Sequence, residues 1–227
     1  MIDWLNIDSV FLDMDGTLLD LNFDNQFWQE FVPQRYAEQR GLTKDEAKIQ
    51  LQPKFRAMEG RLQWYCLDYW SEQLELDIPA MKQELAGLIG VLPHVTDFLV
   101  AVRAMGKRLV LVTNAHQKSL GLKMDKTRLH EFFDGIVSSH DLGTPKENPD
   151  FWAGLGNIEP FITHRTLLVD DSLPVLRSAR IFGIHHLVAV RKNDSTLAAR
   201  HITEFNAIED FREIMPRVPS LVLDPLA

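Results

Sequence analysis

Short runs of consecutive apolar residues recur along this chain, separated by stretches in which apolar positions repeat every three or four residues. The runs at 10–12, 109–112, 135–138, 166–169 and 186–190 have the length and bounding residues of buried strands. Val95, Phe98, Leu99 and Val102 share one face of a helix that Gly106 stops. Further helices are predicted over 120–133, from Phe151 onward with Pro149 at the start, and over 175–182 with Gly183 as the stop. Residues 209–215 predict a last short helix before a proline-containing tail. Alternation of this kind predicts an α/β fold, a parallel sheet with crossover helices on both faces.

Residues 21–92 break the alternation. They are rich in Gln, Glu, Trp and Tyr and poor in β-branched runs. Phe23, Phe27 and Phe31 fall at helical spacing, and Gly41-Leu42-Thr43-Lys44-Asp45-Glu46 reads as a helix end, a Thr N-cap and an acidic first turn. Trp64, Tyr65, Leu67, Tyr69, Trp70 and Leu74 predict a broad apolar surface on one further helix. The segment is therefore predicted to be a helical domain inserted at 21–92, with 1–20 and 93–227 forming the core.

Composition narrows the function. The 227 residues suffice for a large core plus an insert. Twenty-four basic against 32 acidic residues give a net charge of −8, which disfavours binding to a nucleic-acid backbone. The single cysteine, Cys66, excludes an internal disulfide and a Cys-rich zinc site, and its aromatic surroundings predict a buried, inert thiol. No apolar stretch approaches the length that spans a bilayer, and Met1-Ile2-Asp3-Trp4 lacks the basic segment and apolar run of a secretory signal. A reducing cytoplasmic location is the expectation. Nothing in the pattern separates a monomer from a dimer.

Polar residues gather where the predicted strands end. The first strand runs into Asp13-Met14-Asp15-Gly16-Thr17, the second into Thr113-Asn114, and the one at 166–169 into Asp170-Asp171. Ligands of open α/β sheets bind outside this edge, and neighbouring strands lie about 4.8 Å apart. Lys146, in a proline-led loop, can reach the same place. Nearby carboxylates repel unless a cation or proton separates them, so Asp13, Asp15, Asp170 and Asp171 suit a hard cation such as Mg²⁺. A carboxylate can also attack phosphorus. Lys146, the Thr113 hydroxyl and backbone N–H groups of the glycine turn can then hold the charge of the transferring group. Gly16 permits a positive φ or close backbone approach there.

These motifs resemble, over essentially the whole length, those of the haloacid dehalogenase superfamily of Mg²⁺-dependent phosphohydrolases. The resemblance implies a Rossmann-like core and a cap domain inserted between the first two motifs. It implies Asp13 as nucleophile, Asp15 as general acid and then base, Thr113 and Lys146 as phosphoryl-binding groups, and Asp170 and Asp171 as the acidic metal site, Asp171 being the better match for the direct ligand. Gly16, Thr17 and Asn114 fall within the phosphate-binding motifs. The true dehalogenases lack the second aspartate, so Asp15 implies phosphoryl chemistry.

Longer stretches, 18–25 and 64–74 with Thr113-Asn114-Ala115-His116 and Pro145-Lys146-Glu147, are similar to the bacterial GMP/IMP nucleotidases of that superfamily. They imply a purine nucleoside 5′-monophosphate as substrate, hydrolysed through an aspartyl phosphate. Trp64, Tyr65, Tyr69 or Trp70 would then be candidates to stack on the base, and Asp24, Asn25 and Asp68 to hydrogen-bond base or ribose. A phosphatase or phosphomutase for small sugar phosphates or phosphoglycolate is the alternative. A non-catalytic receiver domain also gathers aspartates, a Thr and a Lys around Mg²⁺, but it needs no insert at 21–92.

Overall fold

The computed structural model describes residues 2–216. The first apolar run is strand β1 (Ser9–Leu12), and six helices separate it from the next element of the sheet domain. These are α1 (Asn22–Gln26), α2 (Val32–Arg40), α3 (Lys44–Met58), α4 (Leu62–Tyr65), α5 (Leu67–Leu74) and α6 (Ile78–Glu84). There follow α7 (Val95–Ala104), β2 (Arg108–Thr113), α8 (Gln117–Thr127), β3 (Gly135–Ser138), α9 (Ser139–Leu142), α10 (Pro149–Ile158), β4 (Thr166–Asp170), α11 (Leu173–Phe182), β5 (His186–Val190) and β6 (Asn206–Ile208).

The strands form one sheet in the order β3-β2-β1-β4-β5-β6, and every pair is parallel. Successive side chains enter opposite cores. Val10 and Leu12 belong to one with Leu109, Leu111, Leu167 and Val169, while Phe11, Val110, Val112 and Leu168 belong to the other. A sheet apolar on both faces needs a helical layer on each. The helices α7 and α8 cover the first face through Phe98, Leu99, Leu120 and Met124. On the second face lie α10 and α11, through Phe151, Trp152, Val175 and Leu176.

Helices α1–α6 form the cap and have a third apolar core of their own, around Phe27, Leu51, Trp70 and Ile78. Gly41 adopts a φ of 65° to end α2, and Thr43 starts α3 in a reciprocal capping box with Glu46. The chain enters and leaves this insert side by side. Asp20 N donates to Gly90 O and Leu92 N to Leu18 O, both at 2.9 Å, with an antiparallel bridge between Leu19 and Val91.

Four local expectations need correction. The helix expected across 64–74 is two, broken at Cys66, whose extended ψ of 111° lets it cap α5. Cys66 itself is partly exposed, not buried. The helix expected over 120–133 starts earlier, at Gln117, and stops at Arg128, which turns left-handed with φ of 60° before a 3₁₀ turn at Leu129–Phe132. Between α1 and α2 the residues Phe27–Phe31 form a π-helical turn. Pro33, just beyond, lacks the N–H that a carbonyl four residues back needs, and a wider turn accommodates this. The short C-terminal helix is a 3₁₀ turn at Phe211–Ile214, and the tail after it lies outside the described residues.

Candidate active site

Parallel pairing places Leu12 beside Leu111 on one side and Val169 on the other, so the residues that follow leave the sheet together. Lys146 meets them there, almost fully buried. Its ammonium donates to Asp13 Oδ1 at 2.6 Å, Asp170 Oδ2 at 2.7 Å and Val112 O at 2.9 Å. Asn114 fixes the loop that brings it: Oδ1 accepts from Lys146 N and Nδ2 donates to Glu147 Oε2, each at 3.0 Å. Tyr65, from the cap, donates its hydroxyl to Glu147 Oε1. Thr113 is buried at the end of β2, its hydroxyl accepting from Ala115 N at 3.0 Å.

Carboxylate oxygens of Asp13, Asp170 and Asp171 lie within 4.8 Å of one another. Asn193 Nδ2 holds Asp171 Oδ2 at 2.7 Å, and the Arg200 guanidinium stands 3.7 Å away. Gly16 makes this arrangement possible. Its φ is +79°, and a Cβ there would lie 2.7 Å from Asp171 Oδ2. Burial, then the mutual repulsion left over after Lys146, pushes Asp13 up to about 7; burial and the neighbouring aspartate push Asp170 up to about 6. Asp171 is likewise raised to about 6, by burial and the charge of Asp13. Three hard oxygen donors with uncompensated charge fit Mg²⁺, which takes carboxylate ligands and keeps its remaining waters.

Asp15, expected among the metal ligands, has its carboxylate outside this group. It turns instead to Lys123 Nζ, 2.6 Å from Oδ1. The same ammonium meets Asp24 Oδ2 at 2.6 Å, and Lys82 Nζ meets Asp24 Oδ1 at 2.6 Å. Asp24, expected to read a base or ribose, is therefore clamped between two lysines. Burial pushes its carboxyl up, yet the two ammonium groups hold it below the ordinary range. Burial raises Asp15, against the charge of Lys123. Both lysines are buried against rings, with Lys82 Nζ 4.8 Å from the Phe23 and Phe27 centroids and Lys123 Nζ 5.2 Å from Phe23. The sequence reading passed over both lysines. A signal was there: Leu120, Lys123 and Met124, like Ile78, Met81 and Lys82, put a lysine on the apolar stripe.

A cavity of about 370 Å³ runs from Asp15 into the cap, and Trp28, Phe55, Trp64, Tyr65, Trp70 and His116 line it. Asn25 also borders it and donates to Asp194 Oδ2 at 2.7 Å. Two expected contacts lie elsewhere. Tyr69 packs edge-on against Trp70, 5.1 Å between centroids, and Asp68 is exposed with Lys118 Nζ at 2.5 Å. Thr17 is fully buried below the site, its hydroxyl without a hydrogen-bond partner among the described residues. Trp28 and Phe55 went unnoticed in the sequence, because which face of a cap helix meets the sheet edge depends on how the helices dock.

A parallel sheet with acidic groups and one lysine at its carboxyl edge, roofed by a helical cap, defines a capped Rossmann-like α/β protein. The chain belongs to the haloacid dehalogenase-like hydrolases, whose family profile matches residues 7–183. It is 40% identical over 215 residues, 95% of this chain and 97% of the relative, to the GMP/IMP nucleotidase YrfG of Escherichia coli (strain K12). The fold is similar to that of a HAD phosphatase from Thermococcus onnurineus, with a TM-score of 0.76 at 21% identity, covering 92% of this chain and 96% of the other. It is also similar to the HAD-hydrolase YfnB from Bacillus subtilis bound to magnesium, with a TM-score of 0.62 at 19% identity, covering 92% and 96%. The chain is thus a phosphatase of this superfamily. No helix among the described residues is long and apolar enough to cross a membrane.

Proposed function

We propose that the chain is a Mg²⁺-dependent phosphomonoesterase that hydrolyses purine nucleoside 5′-monophosphates, IMP and GMP among them, to nucleoside and phosphate. The observation that carries this reading is the position of the aromatic cavity. Asp15 stands at one end and the cap rings at the other, so a phosphoryl group at the carboxylate edge leaves its leaving group among aromatic side chains. Stacking of a base on such a ring contributes about 1–3 kcal/mol in other sites. The likeness to a GMP/IMP nucleotidase along nearly the whole chain supports the same substrate class.

In this reading Asp13 attacks phosphorus through the oxygen that Lys146 does not hold, and the bond from phosphorus to the 5′-oxygen breaks. Asp15 gives its proton to the departing oxygen; its raised pKa favours the acid form. It then takes a proton from the water that attacks the aspartyl phosphate, which releases phosphate and restores Asp13. Lys146 and the Thr113 hydroxyl steady the phosphoryl oxygens. Mg²⁺ held by Asp13, Asp170 and Asp171 would neutralise charge on the same oxygens.

Phosphate release from IMP, GMP, AMP, ribose 5-phosphate and phosphoglycolate tests the substrate. IMP or GMP is expected to exceed the non-nucleotides in kcat/KM by about tenfold or more, the equivalent of one stacked ring. Equal or greater turnover of the non-nucleotides would remove the nucleotide assignment and leave a general phosphatase.

A further inference from the structure

Cys66, His116 and His140 come from three places in the chain, and their ligand atoms lie within 4.8 Å of one another. Cys66 sits between α4 and α5 in the cap, His116 precedes α8, and His140 is on α9. The two imidazoles stand edge to face with centroids 4.9 Å apart. The phosphatase chemistry above uses none of the three.

One observation shows this cluster short of a partner. His140 Nε2 is buried without a hydrogen-bond partner among the described residues, which is uncommon for a buried polar atom. The Cys66 sulfur accepts the N–H of Tyr69 at 3.4 Å at the start of an eight-residue helix. Burial lowers the pKa of both rings, to about 4 for His140, where the charge of His116 adds to it. Both imidazoles are therefore in the neutral, ligating form at neutral pH.

We propose that Cys66, His116 and His140 form a binding site for a divalent transition-metal ion of the zinc class, separate from the carboxylate site. One thiolate and two imidazoles are a donor set for Zn²⁺ or Co²⁺ and a poor one for Mg²⁺. Binding forms one bond from sulfur and two from nitrogen to the metal, and the Cys66 proton goes to solvent. It costs His116 the 3.3 Å hydrogen bond from Lys118 N. A fourth position remains for water, and the Asp68 carboxylate stands 3.7 Å from the other His116 nitrogen, Nε2. Since Cys66 belongs to the cap and both histidines to the sheet domain, the ion fastens one to the other. Its occupancy therefore opposes any opening of the substrate cavity that turnover requires.

Titration of the full-length protein with Co²⁺ in excess Mg²⁺ tests the site. A single equivalent is expected to bind with a thiolate-to-cobalt charge-transfer band and the d–d absorption of a four-coordinate ion, both removed by Zn²⁺. Cys66→Ser is expected to lose the charge-transfer band, and His140→Gln to weaken binding by more than about tenfold. Circular dichroism and melting of the metal-free variants check that both fold. Asp13→Asn, which alters the carboxylate site, is expected to keep the band. Absence of the band in the unaltered protein, or unchanged Co²⁺ affinity in folded Cys66→Ser, overturns the proposal.

Discussion

Lys123 and Asp15 form an ion pair at 2.6 Å, and the same ammonium is bound on its other side by Asp24 of the cap. The proposed general acid thus shares its counter-ion with the insert that covers the substrate. Lys123→Met is expected to raise the pKa of Asp15 further, because the lysine charge opposes the effect of burial. The proposed first step needs Asp15 protonated, so the alkaline limb of kcat/KM should move to higher pH. General acid catalysis contributes about 10²–10⁴-fold, and a fall of about tenfold or more in kcat is expected from lost positioning. Breaking a buried pair also costs about 3 kcal/mol, to be read from urea unfolding. An unchanged pH profile with only the stability loss would reduce Lys123 to a structural role.

Asp13→Asn is expected to abolish turnover while the protein stays folded. Lys146 keeps Asp170 and Val112 O, and one of three mutually repelling carboxylates is gone. Its melting temperature without metal should equal or exceed that of the unaltered chain. Asp15→Asn keeps the nucleophile but removes the transferable proton, and a loss of about 10²–10⁴-fold is expected in phosphate-release assays.

In the proposed metal site, protons and Mg²⁺ would compete for the same three carboxylates. Asp13, Asp170 and Asp171 are raised to about 7, 6 and 6, so between the unfolded carboxylate value and those values the folded chain holds more protons than the unfolded one. Stability without metal therefore falls as pH rises through that window. Added Mg²⁺ is expected to raise the melting temperature more at about pH 7.5 than at about pH 5, where protons occupy the site. A Mg²⁺ effect independent of pH would contradict this assignment. Excess chelator should stop turnover.

Gly16→Ala puts a methyl group into the Asp171 carboxylate and forces a left-handed backbone on an L-residue, which costs about 1–2 kcal/mol. Asp171 has to move. The Mg²⁺ concentration for half-maximal activity is expected to rise about 10–100-fold, as when a ligand loses its support. A Mg²⁺ activation curve distinguishes this from a simple loss of folded protein, which lowers the plateau instead.

The sequence made the sheet edge legible and left the cap's interior dark, for a physical reason. Asp13, Thr113 and Asp170 follow apolar runs too short to be anything but buried strands, and parallel pairing then forces their ends together. Lys146 was found because its proline-led loop leads into the same edge. Lys82 and Lys123 needed a tertiary partner, Asp24, to make burial tolerable, and periodicity alone does not report which helix supplies it. Strand β6 has three residues and no apolar run, so it was missed. The break at Cys66 escaped because the flanking residues keep one amphipathic pattern across it.

Entry to and exit from the cap run as one paired ribbon, with Leu18–Asp20 hydrogen-bonded to 90–92. Two independent tethers would let the insert twist and slide. One ribbon permits chiefly a bend, so displacement of the cap reduces to a single angular coordinate. The root of that ribbon is the turn bearing Asp15, where Gly16 N donates to Leu19 O at 2.8 Å. In the proposed mechanism, unlatching the substrate and repositioning the proton donor would be, mechanically, the same event.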